Sequence, residues 1–310
     1  MKKMNLIDMH CDAFWKLSEG NTDLCVDVGK LQKAKSFAEF FACFIYTDGT
    51  YEGSFEKALH ILSIGKTYLQ QHANQIKITR SRADYEENKK NGKISAVLTV
   101  EEGGILEGGL SRLDELWEKD IRLMTLLWNY ENCIGYPNSR NKTTMEKGLK
   151  PFGFEVVERM NELGMVIDVS HMSDGGFWDV ITHSKQPIVA SHSNARSLCN
   201  HPRNLTDEMI RAIADKGGLI GVNFYPYFVN EKGVATVEDI VSHIQHIIHV
   251  GGEDVVAIGT DFDGFDEGEL ELAHIGQMNL LCEAMEKAGL KGKIEKICYK
   301  NAEKIFDFFA

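Results

Sequence analysis

Eight short apolar runs, rich in β-branched and aromatic residues, recur along the chain with helix-like segments between them. They are 4–9 (MNLIDM), 40–46 (FFACFIY), 94–100 (ISAVLTV), 121–127 (IRLMTLL), 165–170 (MVIDVS), 187–192 (PIVASH), 219–225 (LIGVNFY) and 255–261 (VVAIGTD). Several are apolar almost throughout, the pattern of parallel strands covered on both faces. In TVEDIVSHIQHIIHV, Thr236 stands three residues before Asp239 as a capping box. Val237, Ile240, Val241, Ile244, Ile247 and Ile248 then form one apolar stripe. Further helices are expected at 54–73, 110–119, 147–163, 174–184, 206–216 and 271–289. No linker or internal repeat interrupts the alternation. Over 310 residues this predicts a (β/α)8 TIM barrel forming a single domain, 1–310. A doubly wound open sheet is the competing arrangement. No GxGxxG or P-loop follows any strand, which weakens that alternative and removes nucleotide phosphates as a lead.

Composition narrows the function classes. With 43% hydrophobic and 26% charged residues and five prolines, the chain has material for a large core and little sign of disorder. A formal charge of −12 argues against non-specific nucleic-acid binding and against docking on an anionic membrane. The N-terminus MKKMNLIDMH turns polar too early for a secretory signal, and no run approaches a membrane span. Seven cysteines are scattered without a CxxC pair, as expected of reduced thiols in a cytoplasm.

In such a barrel, active-site groups belong at the carboxyl ends of the strands. The first run ends in DMHCD, the third in VEEGG, the fifth in DVSH, the sixth in SHS and the eighth in GTDFDG. Histidines and acids therefore collect at one end. His10 and Asp12, two apart on one strand, can reach the same cation. With Glu102, His171 and His192 they supply three imidazoles and two carboxylates, a set suited to Zn²⁺, with Mn²⁺, Co²⁺ or Fe²⁺ as alternatives. Five ligands exceed what one catalytic zinc uses. Two ions about 3.5–4 Å apart, sharing a carboxylate and a water or hydroxide, would use them all.

Other candidates are weaker. Alone, His-x-Asp is poor evidence for a metal. Asp8 and Asp168 lie earlier on their strands, as ligand-orienting or as purely structural groups. Cys11 alternates away from His10 and is expected to be a packed thiol. His243, His246 and His249, off the apolar stripe of their helix, are expected on its solvated face. Glu101 and Glu102 compete for one position, and strand alternation does not choose between them where a strand end is irregular.

The assembled set resembles the renal (membrane) dipeptidase family, the M19 metallopeptidases, in a leaderless bacterial form. The markers IDMHCD, EEGG, IDVSHMS, IVASHSNARSLCNHPRN, GVNFYP and IGTDFDG occur in family order and span essentially the whole chain. The resemblance implies two zinc ions per chain, with His10 and Asp12 on one and His171 and His192 on the other. Glu102, directly before GG, would bridge them. It implies that Arg203 binds the substrate carboxylate, for which a guanidinium fork is suited. Asp261 would hold the substrate amino group and handle protons, and Tyr225 would line the carboxylate end. Family members carry a histidine just beyond the fourth strand, thought to stabilise the tetrahedral intermediate. Here that place holds Trp128, which leaves either Trp128 or Asn129 as a neutral donor or the stabilisation mainly to the metals. The resemblance also implies tolerance of D-residues at the second position and a homodimer.

The expected activity is therefore a dizinc dipeptidase acting on dipeptides, those with a C-terminal D-residue included, through a metal-bridging hydroxide. A lactamase- or deaminase-type amidohydrolase acting on a small cyclic amide would suit the same ligands, and Arg203 tilts the reading towards a free carboxylate. A barrel that binds metal or peptide without turnover is the remaining alternative.

Overall fold

The computed structural model describes residues 5–309. Met4, where the first strand was expected to begin, lies outside them. The eight expected strands are present as β1 (Leu6–Cys11), β2 (Ser36–Phe44), β3 (Ile94–Glu101), β4 (Ile121–Thr125), β5 (Val166–Asp168), β6 (Ile188–Ala190), β7 (Leu219–Val222) and β8 (Val256–Ile258). Each pairs in parallel with its neighbours in sequence, and β8 returns to β1, so the sheet closes. The result is a (β/α)8 barrel. The short strand Ile76–Ile78 adds to the start of β3, and a two-residue parallel pair joins Val234–Ala235 to Glu269–Leu270.

Two apolar layers hold the barrel. Inside it, Ile7, Met9, Phe40, Val97, Leu123, Val166, Val189 and Leu219 pack together with Ile305, Phe306 and Phe309 from the end of the chain. Tyr85 stacks on Phe306 at 4.1 Å between ring centroids and donates its hydroxyl to Glu303. Outside it, Leu98, Val100, Met124, Ile167, Ile220 and Ile258 meet helix residues such as Ile213, Ile240, Ile244 and Leu281. Membership of the two layers alternates along β3, with Val97 inside and Ala96, Leu98 and Val100 outside.

The helix Val237–Gly251 carries the expected capping box. The Thr236 hydroxyl accepts from Asp239 N–H at 3.2 Å, and the Asp239 carboxylate accepts from Thr236 N–H at 3.0 Å. His243 corrects the expectation of a solvated face. It is 1% exposed, its Nδ1 accepts from Ala195 N–H at 3.1 Å, and its Nε2 meets the Val229 carbonyl at 2.8 Å. It ties the segments that carry Ala195 and Val229 to the helix. The expected helix 271–289 is shorter, Met278–Lys287, because His274 accepts from Gly276 N–H and starts a separate turn at Ile275. The short helices Ala13–Ser18, Val28–Ala34 and Arg82–Lys90 had no clear apolar stripe to announce them.

Candidate active site

The carboxyl ends of β1, β3, β5 and β6 bring His10, Asp12, Glu101, His171 and His192 into one buried cluster. Glu101 is the last residue of β3 and sits at its centre. Its Oε2 lies 3.2 Å from His10 Nε2, while its Oε1 lies 3.0 Å from His171 Nε2 and 3.3 Å from His192 Nε2. Asp12 Oδ2 is 3.3 Å from His10 Nε2. One carboxylate thus spans two ligand groups, His10–Asp12 and His171–His192.

Glu102, expected as the bridge, is not in the cluster. Its backbone has φ +122°, and its carboxylate accepts from Gly104 N–H at 2.7 Å, Trp128 N–H at 3.2 Å, Asn132 Nδ2 at 2.5 Å and the Tyr51 hydroxyl at 3.1 Å. Four donors use up its acceptor capacity, and burial raises its pKa to about 7. It organises the turn after β3. The alternation that puts Val97 inside the barrel carries through Thr99 to Glu101, and that was the signal that Glu101, rather than Glu102, enters the cluster.

The donor chemistry of the cluster calls for cations. Asp168 accepts from the hydroxyls of Thr125 at 2.6 Å and Ser191 at 2.5 Å, and from the backbone N–H groups of Ser170 and Ser191. With its proton given to Asp168, the Ser191 oxygen must accept at 2.7 Å from His192 Nδ1. Asn129 Oδ1 likewise accepts from His171 Nδ1 at 3.2 Å. Both imidazoles therefore carry their protons on Nδ1 and turn bare Nε2 lone pairs towards each other, 3.0 Å apart, and towards Glu101 Oε1. Three acceptors without a proton among them repel unless a cation sits between them. Both ring nitrogens of His10, Asp12 Oδ1 and Glu101 Oε1 are also buried without a hydrogen-bond partner among the described residues. These residues fit divalent metal ions on both sides of Glu101.

Electrostatics point the same way. Burial opposes charge on Glu101, yet His10, His171 and His192 hold its carboxyl well below the usual range. Burial also pushes His171 down to about 4, leaving it neutral as a ligand requires.

The expected residues around the cluster fall into place unevenly. Asp261, at φ +63°, holds Oδ1 3.8 Å from His10 Nε2 and accepts from Asn223 Nδ2 at 2.8 Å; burial raises its pKa to about 7. Gly264 allows this approach, since a Cβ there would lie 2.4 Å from Asp12 Oδ2 and 2.7 Å from Asp261 Oδ1. Asp263 turns away and accepts from Cys25 and Val26 N–H at 2.7 and 2.9 Å. Asp8 binds Thr260 through both carboxylate oxygens, at 2.8 Å from N–H and 2.5 Å from the hydroxyl, and locks β1 to the exit of β8. Cys11 is fully buried against the helix layer.

Arg203 is 4% exposed. It donates to Ser193 Oγ at 2.7 Å and to the His192 carbonyl at 2.8 Å, while its Nε has no partner and no carboxylate pairs with it among the described residues. A cavity of about 670 Å³ opens beside it, lined by Arg203, Asn129, Tyr225, Tyr227 and Phe228 among others. An unpaired buried guanidinium facing such a space is a site for an anionic group. The Trp128 ring instead packs against Phe44, Tyr46 and Tyr130 at 4.8, 5.7 and 6.0 Å between centroids.

Comparison with known proteins agrees with this geometry. The family model for membrane dipeptidases, peptidase family M19, matches residues 1–308. An uncharacterized protein of Klebsiella pneumoniae is 34% identical over 77% of this chain and 91% of its own length. An uncharacterized dipeptidase of Schizosaccharomyces pombe is 30% identical over 84% of this chain, which spans 66% of that relative. A metallo peptidase from Rhodobacter sphaeroides, solved with a phosphinate mimic of the dipeptide L-Ala-D-Ala, superposes with a TM-score of 0.92 at 22% identity, covering both chains fully. No described helix is long and apolar enough to cross a membrane. The chain belongs to the membrane dipeptidase family, peptidase family M19, and is a metallopeptidase that hydrolyses peptide bonds on a (β/α)8 barrel.

Proposed function

We propose that this protein is a dipeptidase that holds two divalent cations, zinc foremost, and acts on free dipeptides, including those with a C-terminal D-residue. The observation that carries the reading is Glu101, whose two oxygens face separate histidine groups. His10 and Asp12 would hold one ion, His171 and His192 the other, with Glu101 between them. When bound, such a pair lowers the pKa of a shared water towards neutrality and polarises a carbonyl oxygen.

The protein's own residues then set the substrate's position. Arg203 receives the α-carboxylate through its unpaired Nε–H, in the cavity that Tyr225 also lines. Asp261, held by Asn223 at the edge of the cluster, takes the free amino group and exchanges a proton with it through its carboxylate. Gripping both termini limits the substrate to two residues. Asn129, fixed against His171, lines the same cavity and leaves its amide N–H₂ as a neutral donor towards the reacting carbonyl, with the Trp128 indole N–H the other candidate. Residues 1–310 are read as one catalytic domain, acting in the cytoplasm, and as a homodimer.

The test is hydrolysis by the zinc-loaded protein of a panel of L,L- and L,D-dipeptides beside N-acetylated, C-amidated and cyclic amide analogues. Cleavage of the free dipeptides alone is expected. Turnover confined to the cyclic amides would replace this reading with an amidohydrolase of another type.

A further inference from the structure

The cavity beside the metal cluster contains a second guanidinium. Arg140 lines it together with Arg203, is exposed, and makes no hydrogen bond or ion pair among the described residues. Unpaired arginines are common on surfaces, so its setting decides the matter. The turn that carries it is fastened to the site: Asn138 donates both its backbone N–H, at 2.7 Å, and its side-chain amide, at 3.1 Å, to the carbonyl of His171. On the far side, Asn141 N–H bonds Ser139 Oγ at 3.1 Å, and the Asn141 side chain caps the next helix. The backbone around Arg140 is therefore anchored to a residue of the metal cluster.

Arg140 and Arg203 flank a common wall. His201 packs tilted against Phe228 at 4.7 Å between ring centroids, the Arg203 guanidinium lies 5.6 Å from the same ring, and His201 Nδ1 accepts from the Arg203 backbone N–H at 3.2 Å. Burial and then Arg140, ahead of Arg203, depress His201 to about 4, so the imidazole between the two arginines is neutral. The acidic groups of the cavity are Glu231 and Glu267. Glu267 acts on Tyr225, as Asp261 does. Glu231 and Arg140 act on Cys199 in opposite senses, and among the described residues the two form no ion pair. Two guanidiniums thus line one cavity, and among the described residues neither is paired with a carboxylate.

We propose that Arg140 reads the side chain of the substrate's C-terminal residue and selects dipeptides ending in an acidic residue. This rests on the dipeptidase reading, with Arg203 taking the α-carboxylate and Arg140 the second carboxylate. A guanidinium already freed of protein partners forms that pair without breaking another.

The experiment compares kcat/KM for Ala-Glu and Ala-Asp with that for Ala-Ala, in L,L and L,D forms, using the zinc-loaded protein and its Arg140→Ala, Arg140→Gln and Arg140→Lys variants. The acidic substrates are expected to lead in the native protein. The acid-to-alanine ratio should fall about tenfold in Arg140→Ala and Arg140→Gln, and recover in part in Arg140→Lys. Glu231→Gln should raise the ratio by removing a like charge. A ratio unchanged in Arg140→Ala and Arg140→Gln, or a native preference for Ala-Ala, overturns the proposal while leaving the dipeptidase reading intact. Hydrolysis of none of these dipeptides removes both.

Discussion

The two ends of this barrel are built on opposite principles. At the N-terminal end, Phe306 and Phe309 close the interior against Phe40 and Tyr85, and the Tyr85 hydroxyl donates to Glu303. At the C-terminal end, His10, Asp12, Glu101, His171 and His192 are as deeply buried but face one another with unpaired acceptors. Burial of an aromatic side chain stabilises a fold by about 1.5–3 kcal/mol, whereas burial of unpaired polar groups costs a comparable amount for each. The mouth also concentrates backbone strain, with Glu102, His171, Asp261 and Asp263 all at positive φ. One end holds the molecule together, and the other spends that stability on an arrangement that only cations complete.

This contrast predicts separable effects. The largest belongs to the centre of the mouth. Glu101→Gln should lower kcat/KM by about a thousandfold or more and reduce bound metal, since several kcal/mol of charge stabilisation is lost. Glu102→Gln should retain the metal and lose about ten- to a hundredfold through looser positioning. Equal metal loss in both variants would break the distinction between the two acids.

Next is the closed end. Phe306→Ala should destabilise the protein by about 3–5 kcal/mol in denaturant titration, with metal content per folded molecule unchanged. A loss of metal without loss of stability would show that the two ends are not independent. Smallest is Ser191→Ala, which removes the hydroxyl linking Asp168 to His192. Metal affinity should weaken about ten- to a hundredfold, measured by competition with a chromophoric chelator, with little change in midpoint.

Much of this was legible in the sequence, for identifiable reasons. The eight strands were readable because buried parallel strands are apolar throughout, and the helix after Thr236 because its cap and stripe agree. That His10, Asp12, His171 and His192 come together was readable because each lies at, or just beyond, the carboxyl end of a strand. The EEGG pair was misassigned by counting back from the glycines. The alternation Val97, Thr99, Glu101 held to the end of β3, and the irregular backbone began only at Glu102. His243 was misplaced because its partners, Ala195 and Val229, lie on other segments that periodicity within one helix does not register. The Ser191 relay was invisible for the same reason, since it depends on β5 and β6 lying side by side.

The central claim is that Glu101 joins two cation sites at the barrel mouth. Anomalous diffraction at the zinc edge from crystals of the metal-loaded protein tests it most directly. Two peaks about 3.5–4 Å apart are predicted, one beside His10 and Asp12 and one beside His171 and His192, both in contact with the Glu101 carboxylate. A single peak, or a peak ligated by Glu102, would contradict it.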